Sequence, residues 1–442
     1  MRKALIIAYI FPPAGGSGVQ RMVKFATYLP EFGWQPVALT VSNPPSREAD
    51  PSLSKELPDD LPVYRAPDVN LVYLARRVVS RLFSPGSRHA VQAEADHPDT
   101  PGAVGGARRA WRDFCETWLM VPDHLCYWFP PAVRIGLTVV KQCDVIMSTD
   151  PFTGHLVACF LHKLSGKPWI ADFRDPWTQY MVYHHRSSGL RWRLDAFLEE
   201  FVLRNADGVT VTCAATAQSF QDLYPSLAKE KFVEITNGFD AADFDQPDRS
   251  RFDKFTIAYT GRFGSKKNAT PAFLQALRDL RREYPKLAEA VQVVFAGVFG
   301  EQNYALVKQW DLEGMVKPAG YVAHQESVGL LLKSHVLLLT LNDEPGVDLT
   351  YPGKIFEYLA AGQAILALVP EGPTADLVRN MEAGLVVPPD DPAAIKRAIL
   401  DLYDRYKQGD MLSRNYEDLQ RFERRNLTAQ LAQCMSALLQ DR

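Results

Sequence analysis

A glycine-rich loop follows the first predicted strand and offers backbone N–H groups to a ligand. Its sequence is Phe11-Pro-Pro-Ala-Gly-Gly-Ser-Gly18, and a helical pattern follows over residues 19–28. Gly15, Gly16 and Gly18 let the backbone approach a phosphate or a sugar closely, and a helix N-terminus adds positive potential. The loop lacks the Gly-Lys-Ser/Thr of a Walker loop and the spacing of a dinucleotide fingerprint. It predicts an anion or sugar site, with a structural tight turn as the alternative.

Three cations follow the first predicted strand of the second half of the chain. Arg262, Lys266 and Lys267 lie within Thr260-Gly-Arg-Phe-Gly-Ser-Lys-Lys-Asn268. The carboxyl end of a strand is where α/β sheets bind ligands. Cations at that place can neutralise a pyrophosphate and stabilise it as a leaving group. The alternative is a solvated basic turn.

A lysine and a glutamate share one face of a short predicted helix. Lys354 and Glu357 belong to Tyr351-Pro-Gly-Lys-Ile-Phe-Glu-Tyr-Leu-Ala-Ala-Gly362, in which the final glycine ends the helix. A carboxylate at this position can accept hydrogen bonds from both hydroxyls of a ribose, while the lysine and the helix N-terminus face phosphate. A surface ion pair is the alternative.

Charges and tryptophans mark the end of a predicted buried strand in the first half. The segment Trp169-Ile-Ala-Asp-Phe-Arg-Asp-Pro-Trp177 carries Asp172, Arg174 and Asp175. Polar groups between aromatic walls are typical of sugar-binding pockets. We therefore predict an acceptor pocket formed by Arg174, Trp177 and His155. The alternatives are an internal ion network that holds the loop, and a structural role for the histidine.

Short apolar strands alternate with longer amphipathic stretches and position these segments. In the first half the predicted strands span 3–9, 36–41, 144–148, 169–173 and 208–212, and in the second half 255–260, 291–296, 335–341, 364–369 and 384–387. The alternation predicts the α/β class, with a parallel sheet between helices in each half. The polar stretch 241–253 is the predicted linker, and 412–439 is a predicted helix.

Composition limits the classes of protein that the chain can represent. Its 442 residues exceed one ordinary domain, and 47% hydrophobic with 23% charged residues excludes a disordered or fibrous chain. A net charge of -3 argues against a bulk polyanion binder, so we expect no nucleic-acid partner. The six cysteines form no Cys-x-x-Cys pair, which predicts buried, reduced thiols. We expect a cytoplasmic protein, because the apolar N-terminal run ends at Pro12 and no run is long enough to span a membrane.

One region interrupts the alternation of strands and helices. Residues 86–106 are rich in Gly, Pro, Asp and His, which predicts a mobile loop. The flanking stretches 74–83 and 107–114 are basic and amphipathic, with aromatic ends. They predict peripheral contact with an anionic membrane surface, with two ordinary surface helices as the alternative.

Taken together and in this order, the segments resemble a retaining nucleotide-sugar glycosyltransferase of family 4. The resemblance includes Ile235-Thr-Asn-Gly-Phe-Asp240 and covers nearly the whole chain, which is similar to bacterial exopolysaccharide and surface-glycan transferases. It implies the GT-B fold, in which two Rossmann-like domains face each other across a cleft. Residues 1–240 would bind the acceptor and 253–411 the nucleotide-sugar donor. The final segment, 412–442, would cross back to the first domain.

The resemblance also assigns roles to residues of the second half. Glu357 would bind the ribose, and Arg262 and Lys267 would stabilise the leaving diphosphate, with Lys266 as the alternative cation. The backbone near Tyr321 and Val322 would hold the donor base. The glycine loop of the first half would approach the donor phosphate.

The sequence departs from the family pattern at two places. The first of the family's paired glutamates falls on Leu349, so Asp348 or Glu344 would have to substitute for it. A histidine that many members carry near the reacting sugar has its counterpart at Arg174. Asp172 and Asp175 stand beside that position and are the catalytic candidates of the first domain.

The implied reaction is transfer of a hexosyl or related group to a glycan or lipid-linked acceptor, with retention of configuration. It needs no metal and no cofactor, in agreement with the lack of an Asp-x-Asp pair placed to hold a metal on a diphosphate. Two alternatives stay open. A nucleotide-sugar 2-epimerase shares the architecture, and a catalytically silent nucleotide-sugar-binding subunit would accommodate the missing glutamate.

Overall fold

The computed structural model of the chain describes most of the two predicted halves. The described residues are 1–15, 17–42, 51–69, 114–179, 189–245, 248, 250–263, 270–341, 345–411 and 417–440. The predicted loop 86–106, the predicted helix 74–83 and all but the last residue of the predicted helix 107–114 lie outside these ranges.

The first sheet has seven strands in the order β3-β2-β1-β4-β5-β6-β7. The strands are β1 (Arg2–Ile7), β2 (Trp34–Val41), β3 (Val63–Ala66), β4 (Val145–Thr149), β5 (Trp169–Phe173), β6 (Gly208–Val211) and β7 (Phe232–Glu234). β1 pairs in parallel with β2 and β4, so that Leu5 lies opposite both Val37 and Ile146. The strand order reverses beside β1, and ligands bind doubly wound sheets at the carboxyl ends of strands next to such a reversal.

Helices cover the faces of this sheet. Their bounds are α1 (Ser17–Tyr28), α2 (Pro51–Ser54), α3 (Phe129–Val139), α4 (Thr153–Ser165) and α5 (Leu190–Asn205), and α6 (Ala214–Leu223) follows β6. α3 packs on β2 and β3, whereas α4 packs on β1, β4 and β5 and also contacts α3 and α5. α3, α4 and α5 therefore lie side by side in one layer.

The second sheet has six strands in the order β10-β9-β8-β11-β12-β13. Its strands are β8 (Phe255–Thr260), β9 (Val291–Ala296), β10 (Val316–Gly320), β11 (Val336–Thr340), β12 (Ala364–Leu368) and β13 (Gly384–Val387). All neighbouring strands pair in parallel. This is again the order of a doubly wound sheet, so the predicted α/β class with two Rossmann-like halves is confirmed.

Both faces of the second sheet are buried under helices. The helices are α7 (Thr270–Glu283), α8 (Pro285–Ala290), α9 (Glu301–Gln309), α10 (His324–Lys333), α11 (Lys354–Ala361), α12 (Pro373–Asn380) and α13 (Pro392–Gln408), and a last helix, α14 (Arg424–Gln440), follows them along the chain. In β11, Val336 and Leu338 join the apolar cluster on one face, and Leu337 and Leu339 join the cluster on the other. This burial on two sides explains why the strand is apolar at successive positions.

Contacts divide the chain into two compact units. The first comprises Met1–Thr210, Tyr224–Val233 and Ala432–Arg442, and the second comprises Val211–Leu223 and Glu234–Leu431. The predicted domain boundaries at 240, 253 and 412 remain predictions. The predicted single helix over 412–439 is wrong in its first part, because Glu417–Phe422 is a 3-10 helix and α14 starts at Arg424.

A buried ion pair fastens α1 to the first sheet. The Arg21 guanidinium donates to both carboxylate oxygens of Asp172 on β5, at 2.7 and 3.1 Å, and both side chains are buried. Thr149 and Thr210 donate to the same carboxylate from β4 and β6. Burial by itself would raise the pKa of Asp172, but the charge and hydrogen bonds of Arg21, together with Thr210, lower it overall. Asp172 is therefore ionised in the fold and joins α1 to three strands.

Removal of the Arg21 charge should strongly destabilise the fold, because it leaves the buried Asp172 carboxylate without a compensating charge. We expect Arg21→Met to lower the free energy of unfolding by about 3–5 kcal/mol. The matched control is Arg204→Met, which breaks a solvent-exposed pair with Glu200 in the same unit and should cost about 0–1 kcal/mol. Urea denaturation followed by circular dichroism measures both.

A second variant separates charge from packing. Arg21→Met combined with Asp172→Asn should regain part of the lost stability, since the uncompensated charge is gone and an oxygen is left for a threonine. The account of the pair is contradicted if Arg21→Met is no more destabilising than Arg204→Met.

Candidate functional site

Three neighbouring strands of the second sheet end in glycines. Gly261, Gly297 and Gly320 follow or end β8, β9 and β10 and have φ of 114°, 121° and 72°. Gly297 donates its N–H to the Gly320 carbonyl at 2.6 Å, and a Cβ atom at Gly297 would lie 2.2 Å from the Gly261 carbonyl oxygen. A side chain at Gly297 is therefore excluded by both space and φ. The result is a shelf of backbone at the carboxyl edge, which we call the glycine shelf.

Two cations stand at the glycine shelf. Arg262 follows Gly261 directly and is exposed. The Lys354 ammonium, at the start of α11, donates to the Thr260 carbonyl at 2.8 Å and lies 4.0 Å from the centroid of the Tyr259 ring. The structure thus brings the start of α11 to the carboxyl end of β8. The predicted roles of Arg262 and Lys354 stay predictions. The other two predicted cations, Lys266 and Lys267, lie outside the described residues.

Glu357 lies one turn along α11 and is half-buried. Burial raises the pKa of its carboxyl, as does the negative charge of Asp243, while the positive charges of His324, Arg424 and Lys354 lower it. The His324 ring Nε2 lies 3.4 Å from the Asp243 carboxylate. The sequence predicted Glu357 and Lys354 but missed the other three charged partners, because only the tertiary fold brings those segments to α11.

The residues predicted to contact the donor base follow β10. Tyr321 is 72% exposed and Val322 is half-buried, directly before α10. Both are accessible at the same carboxyl edge as the glycine shelf. Their predicted contact with a base stays a prediction.

The position of the missing family glutamate is occupied by a short 3-10 helix. Val347–Leu349 forms this helix, and Asp348 in it is exposed. A Cβ atom at Gly372 would lie 3.5 Å from that of Asp348, so the turn packs near the start of α12. Glu344, the other predicted substitute, lies outside the described residues.

In the first unit, the glycine loop is tied to the segment after β5. The Arg174 guanidinium donates to the Gly18 carbonyl at 3.0 Å, and a Cβ atom at Gly18 would lie 2.4 Å from its Nη1. A side chain at position 18, in the first turn of α1, would therefore displace the guanidinium from this place. Gly15 is half-buried at the end of the loop, whereas Gly16 lies outside the described residues.

An aspartate that the sequence analysis did not select organises the same region. Asp150 follows β4, and its carboxylate accepts from the backbone N–H groups of Arg174 and Asp175 at 2.9 and 3.3 Å. Its other oxygen lies 3.2 Å from Nε2 of His155. The sequence does carry a signal for Asp150, because it is an acidic residue directly after the buried strand β4. The charged residues after the neighbouring strand β5 were predicted from the same kind of signal.

Asp175 is the acid of this segment that titrates near neutrality. It is half-buried, and burial and the nearby Asp150 raise its pKa to about 6, while Arg174 lowers it. A carboxyl group with such a pKa can change its charge during a reaction near neutral pH. Its predicted catalytic role is therefore compatible with its surroundings.

Three predicted site residues of the first unit are buried and need correction. The Asp172 carboxylate accepts hydrogen bonds from Arg21 and from two threonines. Asp172 is therefore part of an internal ion network, which was the alternative prediction. His155 is fully buried, with Nδ1 on the Ser148 hydroxyl at 2.8 Å. Trp177 is also buried and stacks face to face on Phe152, with 4.4 Å between ring centroids. In this arrangement His155 and Trp177 cannot line the predicted acceptor pocket, and the buried Asp172 cannot reach a substrate as the predicted catalytic group.

A crevice of about 460 Å³ in the second unit does not coincide with the predicted site. Its lining includes Cys213, Glu234, Tyr351 and Arg421. None of the predicted site residues that the structure describes belongs to this lining.

The described residues lack both a metal-ligand cluster and a membrane-spanning helix. They contain no cluster of three or more His, Cys, Asp or Glu side chains suited to a metal ion. Within the same residues, no helix has both the length and the hydropathy needed to cross a bilayer.

Comparison with solved structures shows the fold of the chain. A sucrose-phosphate synthase from Thermosynechococcus elongatus is 16% identical, with all of both chains covered and a TM-score of 0.65. A lipopolysaccharide outer core galactosyltransferase is 12% identical over 99% of both chains, with a TM-score of 0.56. A putative UDP-N-acetylglucosamine 2-epimerase from Listeria monocytogenes is 10% identical over 100% of this chain and 97% of its own, with a TM-score of 0.57. These similarities support the GT-B fold class.

Two family models match the sequence in succession. Residues 254–405 match the model described as "Glycosyl transferases group 1", and residues 16–238 match the "Glycosyl transferase 4-like domain". No curated protein matches the chain. The second model alone covers more than half of the 442 residues, and the chain therefore belongs to the glycosyl transferase 4-like family.

Proposed function

We propose that the protein transfers a hexosyl or related group from a nucleotide-sugar to a glycan or lipid-linked acceptor, with retention and without a metal ion. One observation carries the proposal. The start of α11 brings Lys354 to the glycine shelf, beside Arg262, while Glu357 follows one turn later on the same helix. The cationic groups and the bare backbone edge suit a diphosphate, and the carboxylate suits the hydroxyls of a ribose. Together they suit a nucleoside diphosphate.

The diphosphate would bind at the cationic end of this arrangement. Arg262 is exposed and Lys354 is half-buried, and the N-terminus of α11 adds partial positive charge in the same place. These groups would stabilise the negative charge that develops on the diphosphate as the sugar leaves. Lys266 and Lys267 are further candidates from the same segment of sequence.

The ribose would bind at Glu357. An ionised carboxylate accepts hydrogen bonds from two adjacent hydroxyls. Burial opposes its ionisation, and the positive charges of His324 and Arg424 favour it. We propose that these charges keep Glu357 ready to accept the ribose hydroxyls, with the base near Tyr321 and Val322.

The acceptor would bind to the first unit, where Asp175 and Arg174 follow β5. In the reaction, the bond between the anomeric carbon and the phosphate oxygen breaks while the acceptor oxygen bonds to the same face of that carbon. The acceptor hydroxyl loses its proton to an oxygen of the leaving diphosphate. Asp175 would orient the acceptor hydroxyl as a hydrogen-bond acceptor, and its ionised form is the stronger acceptor.

The first test is release of nucleotide from a panel of UDP-, GDP- and dTDP-sugars. We expect slow release from one donor, and we expect Arg262→Ala to reduce the rate about 100-fold, because a preorganised charge at the leaving group is lost. Glu357→Ala should weaken donor binding. Arg405→Ala, which removes a surface arginine of α13 paired with Asp401, is the matched control and should leave release unchanged.

The same assay distinguishes the alternatives. Addition of EDTA should leave the rate unchanged. Interconversion of the sugar without release would indicate a 2-epimerase, and tight binding with neither reaction would indicate a silent subunit. Either result would contradict the proposed transfer.

The second test concerns the pH dependence given by Asp175. Because its pKa is raised to about 6, the carboxyl is protonated below that pH, and turnover should rise as the pH increases through about 6. Asp175→Asn should remove this limb of the profile. An unchanged profile in Asp175→Asn would exclude the proposed role.

The pH dependence of folding stability tests the raised pKa of Asp175 independently of turnover. The pKa of Asp175 in the fold lies above its ordinary value of 3.8, so its ionisation destabilises the folded state. Between about pH 4 and pH 6 the wild type should therefore lose more stability with rising pH than Asp175→Asn does.

A further inference from the structure

The helix layer formed by α3, α4 and α5 exposes large apolar side chains to solvent. Phe160 and Leu164 on α4 are 43% and 58% exposed, and Leu190 and Phe197 on α5 are 70% and 61% exposed. The outward positions of surface helices are ordinarily polar. A cluster of large apolar side chains at such positions marks an interaction surface.

Side-chain contacts link the outer surfaces of the three helices. The Phe160 ring of α4 lies 6.0 Å from the ring of Phe129 at the start of α3. The Lys163 ammonium of α4 lies 4.9 Å from the ring of Phe201 on α5, and Phe201 lies 6.3 Å from Phe197. We call this surface the α3–α4–α5 face.

The charges on the α3–α4–α5 face are mainly positive. Neither α3 nor α4 contains an acidic residue. Two of the three acids of α5 have buried side chains, and the third, Glu200, pairs with Arg204 at 2.7 Å. The exposed cations of these three helices are Arg134, Lys163, Arg193 and Arg204, and the exposed Lys141 follows α3. At the edge of the layer, the Asp207 carboxylate accepts from the Trp169 backbone and lies 3.5 Å from His162.

We propose that the α3–α4–α5 face docks on an anionic bilayer surface. Exposed Phe and Leu can enter the headgroup region while Lys and Arg contact lipid phosphates. This inference rests on the proposed function, because a lipid-linked acceptor is presented at such a surface. It uses residues different from the stretches 74–83 and 107–114 that the sequence analysis selected for membrane contact.

Charge favours the bilayer over a second copy of the chain. In a two-fold dimer the same patch meets itself, so Lys163 and Arg193 would face the positive charges of the partner's patch. Like charges placed together oppose association. An anionic lipid surface instead offers negative charge to every cation of the face.

The test is sedimentation of the full chain with vesicles. We expect binding to vesicles of phosphatidylglycerol and phosphatidylcholine, and little binding to phosphatidylcholine alone. Lys163→Glu combined with Arg193→Glu should reduce the partition coefficient at least about 20-fold, since each basic residue near the surface contributes about fivefold. Leu164→Ser combined with Phe197→Ser should also reduce it, through lost insertion.

The matched controls lie in the second unit. Lys286→Glu combined with Arg397→Glu reverses two exposed charges, and Tyr284→Ser removes a side chain that is 44% exposed. Both should bind vesicles like the wild type. All the altered side chains are exposed, so the midpoint of thermal unfolding of each variant should stay close to that of the wild type.

Three outcomes would overturn the proposal. The first is binding that does not depend on anionic lipid, and the second is equal loss of binding in the control variants. The third is a lipid-free dimer, detected by sedimentation equilibrium, that Leu164→Ser with Phe197→Ser dissociates, since the face would then be a protein interface. Nucleotide release without lipid should be normal in these variants. Absence of release from the wild type would contradict the proposed function but not vesicle binding.

Discussion

The buried contact between Arg21 and Asp172 is the constraint on which the first unit's chemistry depends. It joins α1 to β5, and so it fixes the position of the glycine loop relative to the residues that follow β5. Arg174 can then reach the Gly18 carbonyl, and Asp150 can hold the backbone of Arg174 and Asp175. A charged pair of this kind stabilises the fold only while both partners are present. Asp172 thus contributes by positioning other residues.

In the second unit, no buried ion pair is found at the sheet edge among the residues that the structure describes, and glycines position the strand ends instead. Three strand ends meet through backbone contacts that require glycine, most strictly at Gly297. Lys354 then crosses to the Thr260 carbonyl and leaves Arg262 exposed beside it. Both units therefore place reactive groups at the carboxyl edge of a parallel sheet, the first through charges and the second through close backbone packing. This common placement follows from the strand order of the two sheets.

The sequence predicted the interior of both sheets better than their edges. All ten predicted strands exist, but β3, β7 and β10 were missed, and each lies at a sheet edge. Each of these three strands has at most one buried residue, so their apolar signal is weak, and Pro318 in β10 weakened it further. In the site, spacing found the α11 pair, because Lys354 and Glu357 are local neighbours. It could not distinguish Asp172, which points into the sheet's packing, from Asp175, which lies beyond the strand end. Gly297 was missed because a single glycine carries no pattern.

The central claim is that the second unit binds a nucleotide-sugar between the glycine shelf and α11. The most direct measurement is the midpoint of thermal unfolding with each of several nucleotide-sugars. Our account predicts that one donor, at about a hundredfold excess over its Kd, raises the midpoint by about 5 °C. It also predicts that Lys354→Met loses most of this rise. If no nucleotide-sugar shifts the midpoint, or if Lys354→Met keeps the full shift, the account is contradicted.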